Sequence, residues 1–362
     1  MAVKVEQTRG KVMVSRDIIV VGASAGGVEA LQRLAHDLPA DFPGTIFVTV
    51  HFPEHGTSVL PQILNRAGPL RASHAVDGDP IEPGRIYIAP PDYHLLLSRG
   101  GVRTVRGPRE NGHRPAIDPM FRSAAVAFDR RVIGVVLTGN LDDGTSGIAA
   151  VRRAGGVGVA QDPEEALFRS MPDSAIAHAG VDCVSPIGEL AALLTKLMHE
   201  PHLRVAEANV ADDVRETELS ALNLEAIADT GNHPGHSSVY GCPDCGGVLW
   251  QLEEGELTRF RCRVGHAWTA DALLVEQTVQ FDEALWVALR ALEESAGLAA
   301  QLAKKQRDRG HQTLSERFER QAKDLNQRAE IVRTALVQGP IAQPTRDIEP
   351  VVDAAHARTG TR

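Results

Sequence analysis

A chain of 362 residues is longer than one hydrophobic core usually serves, so a division into domains, or one domain with appendages, is expected. Its 43% hydrophobic and 23% charged content is that of a soluble globular protein, and its net charge of −9 disfavours a general nucleic-acid or anionic-membrane surface. No apolar run is long enough for a bilayer span and the first residues lack a signal-peptide core, so the expectation is a cytoplasmic protein with no direct membrane insertion.

Residues 1–16 read as a disordered tail. Ile18, Ile19, Val20 and Val21 then form an apolar run that breaks into Gly22-Ala23-Ser24-Ala25-Gly26-Gly27 and resumes as the helical pattern of Val28, Leu31, Leu34 and Ala35. Such a strand–turn–helix unit places Ser24 where unpaired backbone N–H groups and the helix dipole favour negative charge. The spacing Gly22-x-Ser24-x-Gly26 fits a nucleophile elbow and not the dinucleotide pattern G-x-G-x-x-G, with a purely structural turn as the plain alternative.

Thr45–Val50 is a second strand, ending in His51. Leu60–Leu64 reads as a short helix, Arg85–Ala89 as a strand, Tyr93–Leu97 with Val102–Val105 as a hairpin, and Asp118–Phe128 as a helix. Val132–Leu137 is nearly all apolar, as in a sheet covered on both faces, and runs into the loop Thr138–Gly144 before a helix carrying Ile148 and Val151. Val157–Ala160 and Val181–Val184 are the last strands, on either side of a helical segment Pro163–Ala179, and Leu190–Met198 is a closing helix. The alternation implies an α/β fold, a doubly wound, mostly parallel sheet flanked by helices.

Ser24, His51 and Asp143 each follow a predicted parallel strand, so all three are expected at one edge of the sheet, where ligand sites form. There Asp143 would orient His51, and His51 would take the Ser24 proton. Backbone donors after Ser24 or in the Gly139-Asn140 loop would meet the oxyanion. Six further histidines, His36, His55, His74, His94, His113 and His178, leave other bases open.

The succession Gly-Ala-Ser24-Ala-Gly-Gly, Val-Thr-Val-His51, Asn-Gly-His113-Arg114-Pro-Ala-Ile-Asp, Val-Leu-Thr-Gly-Asn-Leu-Asp-Asp143-Gly and Ser170-Met171-Pro172 resembles the catalytic domain of the chemotaxis receptor methylesterases, the CheB family. The resemblance covers about Asp17 to Met198 and implies a catalytic domain over 17–199. It implies hydrolysis of glutamyl methyl esters on chemoreceptor cytoplasmic helices, with methanol released, glutamine deamidation as a related activity, and no cofactor for catalysis. The matching positions put the nucleophile at Ser24, the base at His51 and its acid at Asp143. Ala25, Gly26 and Asn140 fall at oxyanion positions, with His113 and Arg114 near the substrate. Ala25 and Asn140-Leu141 depart from the family's common residues, which puts the shape of the oxyanion pocket in question. Ser24 stands too near the start of the chain for the receiver domain that often precedes this esterase, so regulation by phosphorylation in cis is not expected.

Residues 200–237 turn to Ala, Asp, Glu and His and read as a linker with room for one short helix. Cys242-Pro-Asp-Cys245 and Cys262-Arg-Val-Gly-His266 then have the spacing of a closed Cys₃His structural zinc site, giving a zinc-ribbon-like module over 238–270. Cys183, in an apolar strand, reads as a core residue. Over 271–338 apolar positions step by threes and fours on both sides of Gly310, a helical hairpin with self-association as a candidate role; 339–362 reads as a disordered tail. The expected partner is a methylated chemoreceptor or another sensory signalling protein. Two rivals are a nucleotide-binding oxidoreductase, against which stands His51 at the end of the second strand, and a non-catalytic signalling scaffold built on the zinc module and hairpin.

Overall fold

The computed structural model describes residues 16–52, 58–200, 211–221, 235–255 and 257–338. The expected tails over 1–15 and 339–362, His55 and much of the expected linker lie outside the described residues. Arg16 does not belong to a loose tail: it is buried, and its guanidinium donates to the Leu197 carbonyl.

Seven strands form one parallel sheet in the order β3-β4-β2-β1-β7-β8-β9: β1 Ile18–Ala23, β2 Thr45–Val50, β3 Arg71–His74, β4 Arg85–Ile88, β7 Val132–Val136, β8 Val157–Gln161 and β9 Cys183–Ser185. The central strands are buried along their whole length because helices cover both faces. One face packs under α1 (Gly27–Asp37), α2 (Leu60–Ala67) and α6 (Ile187–His199), the other under α3 (Ile117–Phe128) and α4 (Thr145–Arg153). A separate antiparallel hairpin, β5 (His94–Ser98) and β6 (Gly101–Val105), lies against α3. The winding reverses at β1: the chain leaves it toward β2 and later returns beside it as β7, which opens a crevice at the carboxyl ends of these three strands.

Two elements differ from expectation. β3 was not expected, because Arg-Ala-Ser-His carries no apolar signal; as an edge strand it needs little. The expected helix over Pro163–Ala179 is reduced to α5 (Ser170–Ser174) and a wide turn over Ala175–Ala179. Its first part is held open because Phe168 N–H donates to Thr138 Oγ1 while the Phe168 carbonyl accepts from Gly139 N–H.

Within the segment expected as a linker, α7 (Ala211–Ser220) packs on α3 and buries Asp213, Glu216 and Ser220. Beyond it, β10 (His236–Gly241), β11 (Val248–Glu254), β12 (Leu257–Cys262) and β13 (Ala267–Thr269) form a four-stranded antiparallel sheet. The described residues up to Ala272 make one compact unit and those from Leu273 a second. In the second, most of α8 (Ala270–Asp308) pairs with α9 (Gln312–Val337) through buried Ala296, Ala299, Ala303, Ala322 and Ala329, and Ser315 Oγ donates to the Ala303 carbonyl at 2.9 Å. Among the described residues no helix is long and apolar enough to cross a membrane.

Candidate active site

Ser24 begins the turn after β1. Its N–H donates to the Thr138 carbonyl at 3.0 Å and its carbonyl accepts from Gly27, which ties the turn to the loop after β7. Gly26, at φ +72, is the left-handed residue that swings the chain into α1. Across from it, a Cβ on Gly139 would stand 2.0 Å from Met171 Sδ and 2.8 Å from Ser24 Cβ, so only glycine lets the Ser170-Met171-Pro172 segment close against the serine.

His51 follows β2 directly, and its ring bridges the crevice. Nδ1 lies 3.1 Å from Ser24 Oγ, and Nε2 lies 2.7 Å from Asp143 Oδ2. With the carboxylate accepting from Nε2–H, the lone pair of Nδ1 faces the hydroxyl, the tautomer a base for Ser24 requires. The His113 ring stacks on His51 with centroids 3.7 Å apart. Of the other histidines, His94 is buried between the Pro108 carbonyl and Ala116 N–H, and His36 and His178 are exposed. Among the described residues, His51 is the imidazole bonded to Ser24.

Asp143 is 2% exposed and surrounded by donors. Oδ2 accepts from His51 and from Ile117 N–H at 2.7 Å; Oδ1 accepts from Asn111 Nδ2 at 3.1 Å, Gly144 N–H at 3.1 Å and Asp118 N–H at 3.3 Å. Burial alone would push this carboxyl up, but the hydrogen bond and charge of His51 and the Ile117 N–H outweigh it and hold the group well below the usual carboxylate range. Its neighbour Asp118 moves the other way: burial, then the charge of Asp143, raises it well above that range. Burial also pushes Asp142 up to about 7, against the hydrogen bond that Thr269 Oγ1 donates to it.

Ala25 and Gly26 lie in the turn before α1, and Asn140 is half-buried in the Thr138–Gly144 loop, so these three oxyanion candidates flank Ser24 on two sides. Arg114 does not join them. Its Nε and Nη2 donate to Asp92 Oδ1, at 2.8 and 2.6 Å, and its Nη1 to the Gly107 carbonyl. A guanidinium engaged in this way braces the loop ahead of α3, whereas His113 of that expected pair stacks on His51. Asn111 and Asp118 were missed in the sequence. Asn111-Gly112 carries a turn signal and Asn111 sits at φ +53, but nothing local reveals that its amide meets Asp143.

The second cluster is Cys242, Cys245, Cys262 and His266, whose ligand atoms all lie within 4.8 Å of one another. Cys245 Sγ to Cys262 Sγ is 3.7 Å, Cys242 Sγ to His266 Nδ1 is 3.7 Å and Cys262 Sγ to His266 Nδ1 is 3.5 Å. A tetrahedron with metal–sulfur bonds of about 2.3 Å has edges of about 3.7 Å, so the donor set fits zinc. The thiols are free of disulfides, and Cys183 stands apart in β9.

Residues 19–194 match the family model described as CheB methylesterase. The chain is 44% identical over 177 residues to protein-glutamate methylesterase/protein-glutamine glutaminase 1 of Geobacter metallireducens, covering 48% of each chain. It is 40% identical over 178 residues to protein-glutamate methylesterase/protein-glutamine glutaminase 2 of Rhizobium johnstonii, again covering 48% of each. The chain therefore spans about half the length of these curated relatives. The crystal structure of the Thermotoga maritima CheB methylesterase catalytic domain is similar at 34% identity and a TM-score of 0.48, covering 50% of this chain and 98% of that one. The part of the chain that carries Ser24, His51 and Asp143, residues 19–194, is a CheB methylesterase domain.

Proposed function

We propose that this protein is a serine hydrolase that removes methyl esters from glutamates on the helices of sensory signalling proteins, chemoreceptors first among them, and deamidates glutamines by the same route. The observation that carries the proposal is the unbroken run of hydrogen bonds from Ser24 Oγ through His51 to Asp143. In the reaction Ser24 Oγ attacks the ester carbonyl carbon as its proton passes to His51 Nδ1, and Asp143 stabilises the imidazolium. The tetrahedral oxyanion meets N–H donors from Ala25, Gly26 or Asn140, each worth about 3 kcal/mol. Methanol departs with the proton from His51, leaving a glutamyl ester on Ser24. Water, deprotonated by His51, then releases glutamate and restores the hydroxyl.

The names of the relatives, protein-glutamate methylesterase/protein-glutamine glutaminase, support both activities. The fitting Cys₃His set supports a structural zinc, held by Cys242, Cys245, Cys262 and His266, which would supply folding energy to a module whose sheet is small. Exposed Phe281, Trp286 and Val287 on the second unit support self-association through the hairpin. The test is the Ser24→Ala variant: it should retain its fold by circular dichroism and release no methanol from a methylated receptor fragment, and unchanged turnover would end the proposal.

A further inference from the structure

The last strand of the Cys/His module lies against the turn that holds Asp143. Ala267, the residue after His266, donates its N–H to the Arg109 carbonyl at 3.2 Å, and its own carbonyl accepts from Asn111 N–H at 2.8 Å. Thr269 N–H donates to Asn111 Oδ1 at 2.9 Å, and Asn111 Nδ2 donates to Asp143 Oδ1 at 3.1 Å. The hydroxyl of Thr269 donates to Asp142 Oδ1 at 2.7 Å and accepts from Ala272 N–H at the start of α8. Asn111 and Thr269 are 5% and 0% exposed, so water does not compete for these bonds. Asn111 is suited to the place because an amide offers an acceptor to one neighbour and donors to another, and because asparagine tolerates φ +53.

The same surface is sealed by a buried ion network. Glu110, next to Asn111, accepts from Arg122 of α3 and from Arg261 of β12, while Glu216 of α7 accepts from Arg259 and Arg261. All five side chains are at most 3% exposed. Removing one member of such a set leaves a buried charge uncompensated, so the module is held to the catalytic domain in one arrangement.

We propose that the Cys/His module is a positioning element of the esterase: through Thr269 and Asn111 it fixes Asp143, so the integrity of its clasp sets the rate of the chemical step. Asn111 and Thr269 are positioning residues, since they act through Asp143 and Asp142 and touch no reacting atom. The proposal rests on the reading of Ser24, His51 and Asp143 as the catalytic set, and its test separates the two.

The test uses the full chain purified with zinc. Asn111→Gly keeps the positive φ and removes the amide, Thr269→Val removes the hydroxyl, and Cys245→Ser removes one thiolate. Three quantities are read: zinc per chain, kcat and KM for methanol release, and the low-field proton resonance of the His51 Nε2–H bond to Asp143. Asn111→Gly should lower kcat about 10- to 100-fold with KM little changed, and should shift or broaden the resonance. Thr269→Val should act in the same direction by less, and Cys245→Ser should move the resonance as zinc is lost. A folded Cys245→Ser protein that has lost zinc yet keeps the parent kcat and resonance overturns the proposal, as does a Thr269→Val protein with both unchanged if Asn111→Gly does not fold. The resonance is also followed in Ser24→Ala, where no turnover occurs. A zinc-dependent resonance together with a parent chain that hydrolyses no ester would refute the function and leave the positioning role standing.

Discussion

For the proposed ester hydrolysis, replacing Asp143 with asparagine changes one heavy atom and should nearly abolish methanol release. Five N–H groups converge on the carboxylate: His51 and Ile117 on Oδ2, and Asn111, Asp118 and Gly144 on Oδ1. The new amide nitrogen must therefore face donors on either side. Turned toward the Oδ1 position it opposes three N–H groups. Turned the other way it opposes Ile117 and drives His51 into the tautomer with its proton on Nδ1, facing the Ser24 hydroxyl it should deprotonate. Loss of the acceptor behind a serine-bound histidine costs about 10⁴-fold in kcat where the geometry is otherwise kept, or about 5 kcal/mol of transition-state stabilisation. The assay is methanol release from a methylated receptor fragment, with circular dichroism as the check on folding. A folded Asp143→Asn protein within tenfold of the parent rate would refute the reasoning.

Two further outcomes follow from buried charge. Glu216→Gln leaves Arg122 and Arg261 ion-paired with Glu110, and Arg259 with Glu110 and Glu254, and should cost about 3–5 kcal/mol in denaturant unfolding; a loss under about 1 kcal/mol would show that the network relaxes freely. Asp142, raised from 3.8 to about 7 by burial, binds its proton over a wider range when folded, so its contribution is fully present below about pH 4 and is lost as pH rises through about 7. Relative to Asp142→Asn, whose amide oxygen can still accept from Thr269, the parent should lose on the order of 2–3 kcal/mol of stability between pH 5 and pH 8, and equal pH slopes in the two proteins would contradict this.

What could be read from the residues was what leaves a periodic or local mark. The strand runs of Ile18–Val21, Thr45–Val50 and Val132–Leu137 are apolar because both faces of the sheet are covered, and the elbow around Ser24 and the Cys/His spacings are short motifs with a mechanism behind them. That Ser24, His51 and Asp143 share one edge follows once their strands are parallel, and the structure brings them within hydrogen-bond reach. The edge strand Arg71–His74 was hidden because an edge needs no apolar alternation. The 163–169 stretch read as helix because its composition allows one, whereas its backbone groups are drawn to Thr138 and Gly139, far away in the chain. That Arg114 meets Asp92 and Asn111 meets Asp143 left no mark in the sequence, since which polar groups meet across 22 or 32 positions is decided by tertiary packing.

The buried Arg–Glu set also bears on how the protein can be divided. Glu110 and Arg122 lie inside the stretch matched to the methylesterases, while Glu216, Arg259 and Arg261 lie past its end. Trimming an expression plasmid to the matched stretch would strip the cover from the dry ionic side chains of Glu110 and Arg122. The two parts are thus ill suited to being shuffled separately, by gene fusion or by an engineer, unless those acids and bases are exchanged along with them.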